Sequence, residues 1–229
     1  MSKNFLHLSE RDQDEILRYF ASVQPHREIA IVEKDVWVCW VLKQLFEMPH
    51  RLDIAFKGGT SLSKVFNLID RFSEDIDITL DYRQFKMSKS LNLDEGQTAP
   101  EKIGSGVRRR VRKSLEDEVR HYVEDVVAPY LHEQLKTLPR GEQFQVEVSE
   151  NGEHIKFFYP SLIEKDQQKP YMLRYVLIEF GGRNIINPNE IHLIKPFLAD
   201  EIEGFDFPSS NVTVLSPMRT FWEKATLIH

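Results

Sequence analysis

At 229 residues, with 41% apolar and 29% charged side chains, the chain has the composition of one large globular domain or of a domain with a small appendage. Fifteen Phe, seven Tyr and three Trp exclude disorder throughout, and no apolar run approaches the roughly 20 residues that span a bilayer. A formal net charge of −6 argues against a protein that coats nucleic acid by charge alone, but it leaves room for an enzyme with a local basic groove.

In chain order, Ser9-Glu10-Arg11-Asp12 resembles a capping box, and Ile16, Leu17 and Phe20 follow at helical spacing, so a first helix is predicted near 10–23, ended by Pro25. A second, mostly apolar helix is predicted over about 30–47, packed on more than one side, with residues 1–50 forming a helical N-terminal segment. It holds the single cysteine, Cys39, which lies among Trp37, Val38, Trp40 and Val41 and reads as a buried core thiol. With no disulfide and no apolar signal segment after Met1, a reducing cytoplasm is the expected compartment. Asp53–Phe56 reads as a short strand entering a glycine turn, and Ser61–Ile69 as a helix with Leu62, Val65, Phe66 and Ile69 inward. Asp75–Leu80 alternates with period two, placing Asp75, Asp77 and Thr79 on one strand face and Ile76, Ile78 and Leu80 on the other. Residues 83–106 form a polar insert without period, either a mobile lid or a disordered segment. A long charged helix follows over about 107–136. Strands are expected at Gln143–Val148, His154–Tyr159 and Arg174–Phe180, the first two joined by the turn Glu150-Asn151-Gly152-Glu153, with a further short strand at Val212–Leu215. Ser216-Pro217 opens a last helix, inside which the chain stops at His229, which reads as a truncation.

Two motifs carry chemistry. In Phe56-Lys57-Gly58-Gly59-Thr60-Ser61, the glycines let backbone N–H groups approach a phosphate, and Thr60 and Ser61 add hydroxyl donors; by itself the run is also an ordinary strand-to-helix turn. Asp75-Ile76-Asp77 places two carboxylates on one strand face, able to hold Mg²⁺ against nucleotide phosphates, though alone it is also an ordinary solvated face. The sixteen residues from Gly59 to Asp75 allow one helix and a turn back, so the two motifs converge. This is the pairing a metal-dependent nucleotidyltransferase needs. Glu179, in the apolar run Tyr175–Phe180, is the candidate third carboxylate of a two-metal site, with a salt bridge to Arg183 or Arg174 as the structural alternative. Lys57 and Arg71 flank the motifs and either face phosphate or are plain surface cations. The basic run Arg108-Arg109-Arg110-Val111-Arg112-Lys113 is either a salt-bridged helix face or an RNA-backbone contact. The eight histidines show no zinc spacing, and no Gly-x-x-x-x-Gly-Lys-Ser/Thr phosphate loop occurs.

Phe56–Lys64 followed by Arg71-Phe72-Ser73-Glu74-Asp75-Ile76-Asp77 resembles the AbiEii/AbiGii toxin family of nucleotidyltransferases. Glu33–Val38, Glu179-Phe180-Gly181-Gly182-Arg183 and Thr220-Phe221-Trp222-Glu223-Lys224 are similar to further blocks of that family, in order from about residue 30 to the end. The resemblance implies an α+β, polymerase-β-like nucleotidyltransferase fold: a small mixed β-sheet carrying the site, spanning 51–229, with the helical N-terminal segment and flanking helices. It implies an Mg²⁺-dependent reaction of an NTP, with two ions, and a toxin of a toxin–antitoxin or phage-defence pair with a separate protein antitoxin. Some relatives modify the 3′ end of tRNA. Carried over, Gly58, Gly59 and Ser61 hold phosphate, Asp75, Asp77 and Glu179 hold the metals, and Lys224 reaches the triphosphate. Family members continue beyond this lysine to a further Asp-containing block that this chain lacks. The expected reaction is transfer of a nucleoside monophosphate to an acceptor hydroxyl, with tRNA as the expected acceptor. Two alternatives stand beside it: an inactive module that binds nucleotide or antitoxin, and an enzyme that modifies a protein hydroxyl.

Overall fold

The computed structural model describes residues 2–24, 26–69, 75–90, 105–163 and 174–225, the side chains of Met87, Ser90 and Lys224 excepted. Pro25, Arg71 and the central part of the expected insert, 91–104, lie outside them. A two-residue strand β1 (Lys3–Asn4) precedes helices α1 (Glu10–Val23) and α2 (Ile29–Glu47). The cap of α1 forms as the sequence predicts: the Ser9 hydroxyl accepts from the Asp12 amide at 3.2 Å. α2 is apolar nearly all round and is buried nearly all round, including the charged run Glu33-Lys34-Asp35.

β2 (Ile54–Lys57), α3 (Gly58–Lys64) and β3 (Asp75–Asp81) follow, then a short helix α4 (Lys86–Ser90) and the longer α5 (Ser105–Tyr122) and α6 (Ala128–Leu135). The remainder holds β4 (Gln145–Val148), β5 (His154–Phe158), β6 (Tyr175–Asn184), β7 (Asn189–Ile194), β8 (Phe205–Asp206), β9 (Ser210–Leu215) and α7 (Pro217–Ala225). Seven strands form one mixed sheet in the order β4-β5-β6-β3-β2-β9-β7, and β1 pairs with β8 beside it. β6 and β3 are parallel, as are β2 and β9 and the separate pair β1 and β8; the remaining neighbours are antiparallel.

Trp40 of α2 stacks on Phe157 of β5 at 5.1 Å between ring centres, and Trp37 meets Phe144 edge-on at 5.0 Å. Phe157 lies opposite Val176, and Ile155 opposite Ile178, so α2 covers the face built by the apolar positions of the sheet. The period-two alternation of β3 then sends Asp75 and Asp77 to the other face. That division of the sheet into an apolar face under α2 and an opposite face carrying acids is what positions the site.

Four expectations change. The helix after the glycines starts earlier and is shorter than predicted: it begins at Gly58 and ends at Lys64, because Asn67 takes a left-handed φ of 51° and turns the chain away. The single helix expected over 107–136 is interrupted by a π-helical turn at Val123–Val127. Pro129 in the first turn of α6 has no N–H to donate, so the regular ladder breaks at that point. The stretch expected to be unstructured from residue 83 opens with a 3₁₀ turn at Tyr82–Gln84, α4, and a buried Phe85. β7 has no counterpart among the expected strands; it is an edge strand whose Ile191 and Leu193 point outward, 71% and 61% exposed, against the usual inward apolar pattern.

Candidate active site

Three residues read from the sequence, Lys57, Asp77 and Glu179, meet in one row across the sheet, with His154 at its end. Lys57 of β2 lies opposite Asp77 of β3, Asp77 opposite Glu179 of β6, and Glu179 opposite His154 of β5. Directly opposed residues share a face, with strands about 4.8 Å apart, so these four side chains stand side by side. Asp75 joins them two residues along β3. A cleft of about 490 Å³ opens over this row, lined by Lys57, Gly58, Asp77 and Thr79 from β2–β3, by Phe180 to Asn184 from β6, and by helix residues Leu115, Glu116, Val119, Thr220 and Glu223.

Gly58 sits against the Asp77 carboxylate. Its φ is +81°, and a Cβ built there would overlap the carboxylate, so both the backbone conformation and the space require glycine. The expected donor role of Thr60 and Ser61 is corrected. Both are buried and their hydroxyls are already used: Thr60 Oγ1 donates to the Asp75 carbonyl at 2.5 Å and Ser61 Oγ to the Gly58 carbonyl at 2.9 Å. These bonds tie the first turn of α3 to itself and to the start of β3, which fixes Gly58 and Asp75 relative to each other. Of the four hydroxyls buried without a hydrogen-bond partner among the described residues, two, those of Thr79 and Thr220, belong to residues that line the cleft.

Glu179 differs from expectation in its surroundings. Only the other face of its strand, Val176, Ile178 and Phe180, is fully buried, and its own side chain is 43% exposed, so no desolvation cost demands a partner. Its neighbour is His154, with Nε2 3.8 Å from Oε1, in place of the Arg183 or Arg174 expected as alternatives. Arg183 instead bonds Glu116, which also accepts from Arg112 Nε at 3.0 Å. The hydrogen bond from Arg112, with Arg183 adding its charge, holds the Glu116 carboxyl below its usual pKa. Among the described residues, no three His, Cys, Asp or Glu side chains are gathered closely enough to hold a metal ion, so the three-carboxylate cage is not preformed. The pair Asp75 and Asp77 nevertheless has the donor chemistry of a Mg²⁺ site, since that ion is held by one or two carboxylates with substrate phosphates completing its shell.

Lys57 faces the cleft with its ammonium bonded to Glu223 Oε2 at 2.8 Å, and Arg219 Nε reaches Glu223 Oε1 at 3.1 Å. Lys224 follows Glu223 on α7, so that helix brings the expected lysine's backbone to the same side of the cleft. Sequence reasoning misses Glu223, Arg219, His154 and Glu116 as members of this site. Glu223 lies inside the block Thr220–Lys224 but next to a more conspicuous lysine. His154 is recognisable only once the β5–β6 register is known.

The family profile of the nucleotidyl transferase AbiEii toxin, Type IV TA system, matches residues 40–229, the span that contains both motifs, the β6 carboxylate and α7. The chain belongs to this family. The Glu33-Lys34-Asp35 block lies before the matched span. Among solved structures the fold is similar to that of MenT4, a nucleotidyltransferase toxin from Mycobacterium tuberculosis. The identity is 18% and the TM-score 0.50, over 91% of this chain and 57% of that one. The chain therefore spans little more than half of that toxin's length. No curated protein matches it. No helix among the described residues is long and apolar enough to cross a membrane.

Proposed function

We propose that the chain transfers a nucleoside monophosphate from an NTP to an acceptor hydroxyl, in an Mg²⁺-dependent reaction, as the toxin of a type IV toxin–antitoxin or phage-defence pair acting in the cytoplasm with a separate protein antitoxin. The observation that carries this reading is the placement of Asp77 against Gly58, with Asp75 tethered through Thr60: the phosphate-facing turn and the paired carboxylates form one unit. Backbone N–H groups at Gly58 and Gly59 would face the triphosphate, with the Asp77 carboxylate directly against Gly58. Asp75 and Asp77 would hold the ions, with Glu179 available from the neighbouring strand; when bound, they would neutralise triphosphate charge and lower the pKa of the acceptor hydroxyl. Lys57 and Lys224 supply positive charge to the leaving pyrophosphate, and the partnerless hydroxyls of Thr79 and Thr220 are available to orient substrate oxygens. The protein's own contribution is chiefly positioning and charge stabilisation. Arg71 would add a further cation from beyond the described residues.

RNA is the favoured acceptor. Arg108, Arg109, Arg110 and Lys113 are exposed on α5 and make no ion pair among the described residues, while Leu115, Glu116 and Val119 of the same helix line the cleft. Arg109 stands seven residues, two turns and about 10 Å, from Glu116 on one helix face, a spacing that lets a backbone phosphate be held while the acceptor end enters the cleft.

The test is label transfer from each α-labelled NTP, with Mg²⁺, into total tRNA, comparing wild type with Asp75→Asn. The expected outcome is label on tRNA that the substitution abolishes without changing the circular dichroism spectrum. Label on protein would replace the acceptor, and nucleotide binding without any product would make the chain a binding module.

A further inference from the structure

The two cations that line the cleft are both held by carboxylates from helices: Arg183 by Glu116 of α5 and Lys57 by Glu223 of α7. The second arrangement is the more telling. Glu223 divides its two oxygens between two cations, Oε2 to Lys57 Nζ at 2.8 Å and Oε1 to Arg219 Nε at 3.1 Å. The Lys57, Glu223 and Arg219 side chains are 22%, 16% and 32% exposed, so this is a partly desolvated cluster and not a fully solvent-screened surface pair. Lys57 is also the residue before Gly58 and lies in register with Asp77. Its ammonium is therefore adjacent to the turn that faces phosphate, yet it is committed to a carboxylate of the chain's last helix.

A carboxylate bridging a lysine and an arginine presents two anionic oxygens where a phosphate would present the same. The remaining acids that line the cleft, Asp77 and Glu153, disfavour a polyanion that arrives without cations to meet it. Without bound metal ions, a polyphosphate is favoured there once such cations are released to it. We infer that Lys57 and Arg219 form a polyphosphate subsite that Glu223 occupies in the resting protein, and that the ligand binds by taking both cations from Glu223. The ligand class is a linear polyphosphate, of which an NTP triphosphate is the member relevant to transfer; to that extent the inference rests on the proposed function. Exchange is favourable because a polyphosphate brings several negative charges to a site that a single carboxylate fills, and charge-assisted bonds to Lys and Arg strengthen accordingly. The displaced Glu223 gives up Lys57 and Arg219, and α7 is thereby coupled to occupancy of the cleft.

The test uses inorganic tripolyphosphate, without divalent ions, titrated calorimetrically into the whole chain. Glu223→Gln removes the competing charge while keeping the shape, and should tighten binding by about tenfold, the scale of coupling between close charge pairs. Lys57→Met and Arg219→Gln should each weaken it, and in a Lys57→Met background Glu223→Gln should give no gain. Binding to folded Glu223→Gln that equals or falls below that of wild type would overturn the inference, as would a gain that persists without Lys57. If Glu223→Gln fails to fold, Glu223→Asp, which shortens the reach to both cations, should shift affinity in the same direction, and an unchanged or weaker affinity there overturns it equally. Failure of the transferase reading is seen separately: wild type that labels no acceptor, with tripolyphosphate affinity still rising in Glu223→Gln, removes the transfer and keeps the subsite.

Discussion

At the scale of single residues, the site is built from close approaches that leave little latitude. Gly58 combines a left-handed backbone with a side-chain position already filled by Asp77. Gly58→Ala therefore has to move either the turn or the carboxylate. The expected result is a fold that survives with a lower melting temperature and label transfer reduced by about 10²-fold or more, the cost of roughly 1 Å of misplacement at a reacting centre. Lys64, at the other end of α3, is a different case. Its ammonium bonds Asp35 Oδ1 at 2.5 Å, with 4% and 1% of the two side chains exposed, and Asp35 Oδ2 accepts from the Phe197 amide at 2.7 Å. Burial opposes the charge on Lys64, and the Asp35 carboxylate outweighs it and holds its pKa above the usual value. Lys64→Met strands a buried carboxylate and should cost about 3–5 kcal/mol in denaturant unfolding. The identities of Gly58, Asp75 and Asp77 were legible in sequence because their chemistry is local. The buried pairing of Lys64 was not, because its partner is remote in the chain.

At the scale of elements, α2 and β6 show how a strand or helix carries more than its pattern. Glu33 on α2 is 3% exposed and accepts from Ser161 Oγ and from the Leu162 amide, both at 2.6 Å, which fastens the segment after β5 to the helix. Burial, only partly offset by those two bonds, pushes its pKa up to about 7. A raised carboxyl pKa means that the folded state keeps its proton while the unfolded chain releases it. The associated stability is present below the unfolded pKa and is lost as pH rises through about 7. Thermal stability should thus fall between about pH 4.5 and 7, by an amount on the order of 3 kcal/mol. Glu33→Gln should flatten that fall; an equally steep profile in the variant would assign the pH dependence elsewhere. On β6, Gly182 lies under α5: a Cβ there would overlap Val119 and come within 2.7 Å of Phe85 Cε2. Gly182→Ala should push α5 off the sheet and lower the melting temperature by several degrees, whereas Gly181→Ala, with open space at its Cβ, should be far milder. The strand character of β6 was legible as far as Phe180; its extension through the glycine pair was not, since only the approach of α5 explains glycine there.

At the scale of the whole molecule, the sheet gathers residues that the chain scatters. Lys57, Asp77, Glu179 and His154 come from four strands and stand in one row, while α5 and α7 close the cleft over them. The basic end of α5 belongs to this scale too. Replacing Arg109 and Lys113 together with Glu should raise KM for an RNA acceptor and leave nucleotide binding in place. It should also lower the salt slope of RNA binding by about 1–2, because each replaced cation no longer neutralises a phosphate. An unchanged slope would place the acceptor on another surface. What the sequence by itself determined is the short-range content: the capped α1, the apolar α2, the alternation that puts Asp75 and Asp77 on one face, and the glycine turn before them. Each of these follows from local periodicity or backbone sterics, which read within a few residues. Only the tertiary structure decided that Thr60 and Ser61 turn inward to hold the turn together, that Glu179 is an exposed neighbour of His154, and that Lys57 rests on Glu223. The first depends on how the turn packs against the start of β3, the second on strand register and the third on a helix returning from more than a hundred residues away, and nothing local in the chain encodes which carboxylate will arrive beside which cation.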